Sequence, residues 1–392
     1  MKKLIKTKAI IDGNNEKPLY EHYFLLENGL IKAIGNKDDF ATGYDDVEIV
    51  DLSDYFIMPG LIDCHTHLSI KPELGDQISQ LKRDLEINIP VAIENIQKDL
   101  LSGVTTLRVM GEEHYLDINI KNKVISGEVI GPDILPSGIG IASSSGHGAG
   151  LTTADGIEEI KKLALKNIQQ GADHLKLFVT GGVSSTNTSL DMSAYSKEEV
   201  SAAVDVADDN GIYTSAHAHG GEGLNLCIEC GVRTIEHGTF VSDNQLERMI
   251  KKGNWLISTL TILFDDKGVG GKDLNVPSIY EKLLKAREKA KENLENIIKS
   301  GVNLAVGTDS MHGMIVKELE YLTEFGATNF RALQSATKSA AEACKVEDKF
   351  GTLEEGKIAN FICLKENPLN NISALNRVEK IFKDGREIKY KF

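Results

Sequence analysis

The segment Met58-Pro59-Gly60-Leu61-Ile62-Asp63-Cys64-His65-Thr66-His67 is an apolar run that ends in two histidines one residue apart. Side chains alternate along a β-strand, so His65 and His67 share a face, with Cα atoms roughly 6 to 7 Å apart. At that spacing two imidazoles can converge on one cation. Alone, the pair would equally suit an exposed strand end. However, His217 and His237 each close a later apolar run, and Asp309 follows another. Imidazole mixed with carboxylate is the donor set that zinc and similar divalent cations favour. Lys176 sits mid-run in His174-Leu175-Lys176-Leu177-Phe178-Val179, where a buried ammonium is costly unless neutralised or paired. A neutral amine there can take up carbon dioxide to give a carbamate, an anionic ligand able to bridge two cations. The alternative is an ion pair with Asp173 or an internal carboxylate.

Other residues could meet a substrate. His147 lies in the polar loop Ser143-Ser144-Ser145-Gly146-His147-Gly148, as a donor to an oxyanion or a substrate carboxylate, or as a surface histidine. His219 faces the same way as His217, so it is either the ligand in its place or a neighbour of the substrate. Arg108 and Tyr195 are further candidates for binding a substrate carboxylate. Glu112 and Glu113 could meet a basic substrate side chain.

These residues need a scaffold that gathers strand ends. From about residue 56 the chain repeats a β-rich apolar run, a polar or Gly-containing loop and an amphipathic segment of helical period. Strands are expected at 56–65, 104–109, 134–139, 174–179, 212–217, 233–237, 255–259 and 303–308, and helices at 84–102, 156–170, 197–210, 243–252 and 278–300. Eight such units predict a (β/α)8 TIM barrel, whose sites lie at the carboxyl ends of its strands. An open doubly wound sheet is the alternative, but no Gly-rich fingerprint follows the first strand. Both ends of the chain instead read as short strands broken by turn residues such as Glu27-Asn28-Gly29. A small β-sandwich domain from residues 1–57 and 346–392 is therefore expected beside the barrel of 58–345.

The 392 residues carry a formal net charge of −14, which opposes binding to nucleic acid or an anionic membrane surface. No apolar stretch approaches the ~20 residues of a spanning helix, and Lys6 and Lys8 interrupt any export-signal core. Five scattered cysteines suit reduced thiols in a cytoplasmic protein.

Taken together, several motifs identify a wider likeness. Ile31-Lys32-Ala33-Ile34-Gly35, Pro59 through Leu68, Glu236-His237-Gly238, Gly307-Thr308-Asp309-Ser310, Gly351 through Ala359 and Lys383-Asp384-Gly385 span nearly the whole chain. In these the sequence resembles the amidohydrolase superfamily, departing at Asn360, where the family usually has aspartate. Leu175-Lys176-Leu177, Thr180-Gly181-Gly182-Val183, Ala216-His217-Ala218-His219-Gly220 and Ser145-Gly146-His147-Gly148 are similar to its branch of binuclear metallodipeptidases and carboxypeptidases, the imidazolonepropionase-related amidohydrolases. One-metal deaminases and imidazolonepropionases typically carry a glutamate where Gly220 stands.

The resemblance implies two divalent metal ions, zinc by expectation. His65, His67 and Asp309 would hold one, His217 and His237 the other, with carbamylated Lys176 between them. It implies hydrolysis of an amide bond in dipeptides or N-acyl amino acids by a metal-bridging hydroxide, with Asp309 as proton shuttle and His147 at the oxyanion. A basic C-terminal residue in the substrate and a homo-oligomeric enzyme are further expectations. A lactonase or a cyclic-amide hydrolase of the imidazolonepropionase kind is the alternative on the same site. A non-catalytic scaffold would require lost ligands, and all six are present.

Overall fold

A computed structural model describes residues 2–40, 47–186 and 188–389. The amino-terminal part forms β1 (Lys2–Ile10), β2 (Leu19–Tyr20), β3 (His22–Glu27), β4 (Leu30–Asn36) and β5 (Glu48–Pro59). The middle of the chain follows with β6 (Leu61–Thr66), β7 (Val104–Val109), β8 (Asp133–Leu135) and β9 (Leu175–Phe178). Next come β10 (Thr214–Gly220), β11 (Thr234–Phe240), β12 (Trp255–Ser258) and β13 (Asn303–Val306). The carboxyl end adds β14 (Phe361–Leu364), β15 (Val378–Lys383) and β16 (Arg386–Glu387).

The two chain ends meet because β5 pairs along both edges, parallel to β1 on one side and antiparallel to β14 on the other. The resulting order is β16-β15-β14-β5-β1-β3-β4 with β2 added on β1. The described strands thus make one mixed sheet where a sandwich of two was expected. The reason is the length of β5, twelve residues, which lets each terminal piece extend the same sheet. Asn28 and Gly29 turn β3 into β4, both at positive φ (54° and 85°), the backbone a two-residue hairpin of this twist demands. Ile5, Ile10, Phe24, Ile57, Phe361 and Phe382 bury the inner face of this sheet.

Parallel strands carry the rest. They lie in two ladders, β6-β7-β8 and β9-β10-β11-β12-β13. Backbone bonds span both seams between the ladders: Ile141 N–H to Lys176 O at 2.8 Å and Phe178 N–H to Ile141 O at 2.9 Å at one, and Asp309 N–H to His65 O at 2.8 Å at the other. Amphipathic helices pack outside. Helix 85–101 buries Ala92, Ile96 and Leu100, and helix 157–170 buries Ile160, Leu163 and Ala164. Capping boxes at Ser196/Glu199 and Ser242/Gln245 start helices 197–209 and 243–252, satisfying amides that have no partner within the helix. The expected first strand, 56–65, is divided at Gly60. A Cβ there would lie 2.1 Å from Thr105 Oγ1, so glycine lets the chain leave β5 and enter β6 against β7. Among the described residues no helix is long and apolar enough to cross a membrane.

Candidate metal centre

The carboxyl ends of β6, β9, β10 and β11 and the turn after β13 converge on one cavity. It is lined by His65, His67, Lys176, His217, His237 and Asp309, with His147 and His219 beside them. Buried neighbours fix the imidazoles. His65 Nδ1 lies 2.8 Å from Glu236 Oε2, His67 Nδ1 2.9 Å from Gly111 O, His237 Nδ1 2.7 Å from Thr259 Oγ1, and His219 Nδ1 3.0 Å from Thr239 Oγ1. Each bond leaves Nε2 as the available ligand nitrogen, the usual way a protein orients a metal-binding imidazole. His65 Nε2 is 3.5 Å and His67 Nε2 3.9 Å from Asp309 Oδ1. One ligand atom each from His65, His237 and Asp309 lie within 4.8 Å of one another.

The two histidines of β10 differ. His217 places Nε2 3.1 Å from Gly181 O and stacks on His147, ring centroids 4.5 Å apart. Their rings lie at almost the same distance from that of His237, 4.6 Å for His217 and 4.9 Å for His219. Both therefore belong to the cavity wall.

Lys176 is fully buried, and its Nζ has no hydrogen-bond partner among the described residues. Burial pulls its proton affinity down to about 8, against the opposing pull of Glu236 and Asp309. An ion pair with Asp173 does not form, because that carboxylate accepts from Lys121 Nζ at 2.6 Å. Burial likewise lowers the histidines, His67 to about 4 and His147 and His219 to about 3, so all are neutral near pH 7 with a lone pair to offer. Asp309 is raised by burial to about 6, with Lys176 opposing. A cluster of neutral imidazoles, one carboxylate and an orphaned amine fits divalent cations and a further ligand group on Lys176.

The backbone is strained where these groups meet. His237, Asp309 and Ser310 adopt φ of 73°, 50° and 73°, a region costly for residues with a Cβ and concentrated at functional sites. Asp63 helps hold the turn: its carboxylate accepts from His65 N, Thr308 N and Thr308 Oγ1 at 3.0, 3.1 and 2.6 Å. It thereby ties the end of β6 to that of β13.

Several expected substrate contacts take other positions. The fully buried Arg108 donates from Nε to Cys64 O, from Nη1 to Thr234 Oγ1 and from Nη2 to both oxygens of Glu236. It supports β6 and β11 and has no face on the cavity. Tyr195 is buried and donates to Ala154 O at 3.0 Å. Glu112 accepts from Ser69 N and Oγ, and Glu113 from Thr152 N and Oγ1, so both latch loops. Glu236 and Asp63 were missed by sequence reasoning as positioning groups. The available signal was a carboxylate beside a ligand on an otherwise apolar strand.

His147 reaches the cavity because Gly182 lacks a Cβ, which would lie 2.5 Å from the imidazole. Ser185 Oγ holds His147 Nδ1 at 2.5 Å. Gly182→Ala is expected to displace the ring and lower kcat roughly 10- to 100-fold, since displacements near 1 Å cost about that much. Metal content should stay at the wild-type level. Steady-state kinetics beside elemental analysis check this; an unchanged kcat would deny His147 a part in the reaction.

The amidohydrolase family profile matches residues 56–388, and the chain belongs to this family. It is 26% identical over 419 residues to the ochratoxinase of Aspergillus niger, an alignment covering 98% of this chain and 86% of that protein. Among solved structures, a Xaa-Pro dipeptidase with methionine bound in its active site superposes with a TM-score of 0.90 at 29% identity, over 100% of both chains. A prolidase complexed with N-methylphosphonate-L-proline gives 0.91 at 26%, again over 100% of both. These likenesses make the fold a TIM barrel, though the described ladders are not one closed ring. The chain is a hydrolase of the amidohydrolase family.

Proposed function

We propose that this enzyme hydrolyses an amide bond in dipeptides or N-acyl amino acids at a centre of two divalent cations. The observation that carries the reading is the buried Lys176 amine, without a hydrogen-bond partner among the described residues, within a cluster of histidines and Asp309. Addition of carbon dioxide to that amine, with release of one proton, gives a carbamate whose oxygens are anionic ligands. His65, His67 and Asp309 would hold one cation and His217 and His237 the other, with carbamylated Lys176 between. When bound, the cations supply a nucleophilic water at neutral pH and polarise the scissile carbonyl.

The chain's own groups do the rest. Asp309 takes a proton at its carboxylate and delivers it to the leaving nitrogen, which cannot depart as an anion. With His147 Nδ1 held by Ser185 Oγ, the tautomer that accepts the Ser185 hydroxyl hydrogen there carries its own hydrogen on Nε2 and would donate it to the oxyanion. The similar Xaa-Pro dipeptidase and prolidase support an amide in a short peptide as the substrate.

The cavity around the cluster offers only about 40 Å³ of space, well under the ~300 Å³ of a typical small-molecule site. It adjoins a second cavity of about 610 Å³ through the shared residues Gln77 and Ser184. A substrate would therefore put its scissile carbonyl in the inner space and the remainder in the outer one. Amine release from a library of dipeptides and N-acyl amino acids, with zinc- and manganese-loaded enzyme, tests the reading. Turnover of at least one member is expected. Cleavage of lactones or cyclic amides with none of the library cut would overturn it.

A further inference from the structure

A dipeptide or N-acyl amino acid brings a free carboxylate, and the inner cavity has no cation to spare for it. Among the described residues lining it, Lys176 is the sole ammonium and there is no guanidinium. Arg108, the obvious candidate in the sequence, is committed to Glu236. The outer cavity is walled by Val276, which precedes helix 277–300, by Ile279 on its first turn, and by the loop bearing Ser184, Ser185, Thr186 and Thr188. Residues three and four apart share a helix face, so Lys282 lies one turn beyond Ile279 on the same helix.

The ammonium of Lys282 reaches the same loop. It donates to Ser185 O at 2.8 Å and to Thr188 O. An ammonium has three donors, so one remains after these two bonds. Among the described residues no carboxylate lies within ion-pair distance of it. The side chain is half-buried, and burial alone acts on its proton affinity, pulling it down. Ser185, whose carbonyl takes one of the Lys282 bonds, also holds His147 Nδ1 through its hydroxyl, which links the ammonium to the edge of the reaction cavity. Asp76, the one carboxylate lining the outer cavity among the described residues, accepts from Ser79 N and Oγ.

We propose that Lys282 is the specificity-determining residue that recognises the substrate's free carboxylate from the outer cavity, through the ammonium donor its loop bonds leave over. This rests on the amide-hydrolase reading above and adds the charge that the substrate must carry. A half-buried ammonium with no anion is a standing cost, and a substrate carboxylate relieves it while forming a charge-assisted bond. The loop that Lys282 grips also carries Ser185, the partner of His147. Seating the carboxylate therefore acts next to the residue that faces the carbonyl.

The test is the ratio of kcat/KM for N-acyl amino acids to that for their carboxamides, each acid paired with its own amide. The wild-type enzyme should favour the acid by roughly 20- to 100-fold. Lys282→Gln keeps N–H donors for the loop carbonyls but removes the charge, and should bring the ratio close to one, chiefly through KM. Lys282→Arg should restore most of it. A purely structural role would lower acid and amide together and leave the ratio intact in Lys282→Gln; that result, or a wild-type ratio near one, overturns the proposal while amide hydrolysis stands. A wild-type enzyme that cleaves neither form overturns both.

Discussion

Lys176→Met is expected to lower kcat/KM by at least about 10³-fold and, at the same time, to make the metal-free protein more stable. The two effects have one cause. The amine is fully buried without a hydrogen-bond partner, so before any ligand joins it the enzyme bears the desolvation of an unsatisfied polar group, roughly 1–3 kcal/mol. Methionine fills a similar volume with no such group, and urea unfolding of the metal-free variant should show the corresponding gain. What it removes is the only amine lining the cavity among the described residues, the one that would carry the anionic bridge in the proposed two-cation centre. Removing a group that merely orients a ligand already costs 10- to 100-fold in metal affinity or activity, and removing a bridging ligand should cost more. Elemental analysis should find fewer than two cations per chain, and a short carboxylic acid should restore part of the activity. A variant with full activity and full metal content would exclude a carbamate at this position.

The same residue shows how far the sequence could be read. Period and chemistry together located the expected strands, because each apolar run is bounded by its own Gly or polar loop. The runs at 104–109, 174–179, 233–237 and 255–259 correspond to β7, β9, β11 and β12 within a few residues. His65, His67, Lys176, His217, His237 and Asp309 line one cavity; the histidines and Asp309 are legible from strand-end position together with the motifs of the resemblance, and Lys176 from its place inside an apolar run.

Side-chain destinations were less legible. Arg108 lies on β7 two residues after Thr106, and nothing local distinguishes an arginine that faces substrate from one consumed by Glu236, 128 positions away. Only the pairing of neighbouring strands in space decides between them. Tyr195 and Glu112 follow the same rule: their partners, Ala154 and Ser69, come from other loops. The single sheet built from both chain ends also depended on long-range pairing, since β5 meets β14 only after some 300 residues of intervening chain. In contrast Asn28-Gly29 was readable at once, because its turn is dictated by two adjacent residues.

Glu236→Gln carries the largest expected loss of stability. Glu236 and Arg108 are both wholly inaccessible to solvent, and Nη2 lies 2.9 Å from each carboxylate oxygen. Removing one charge from such a pair leaves the other buried and uncompensated, which costs about 3–5 kcal/mol. Glu236 Oε2 also faces His65 Nδ1 at 2.8 Å, so the substitution should weaken cation binding at His65 by roughly 10- to 100-fold as well. The two effects separate in the double variant Arg108→Leu/Glu236→Gln. With no guanidinium left to strand, most of the lost stability should return, giving a coupling energy far from additive. Metal affinity should stay low, because His65 still lacks its anionic partner. Urea unfolding and metal titration of the two single variants and the double check both halves. Equal, additive losses of stability would mean that Arg108 finds other compensation in the core, whereas recovery of metal affinity in the double would mean that His65 is oriented by packing rather than by Glu236.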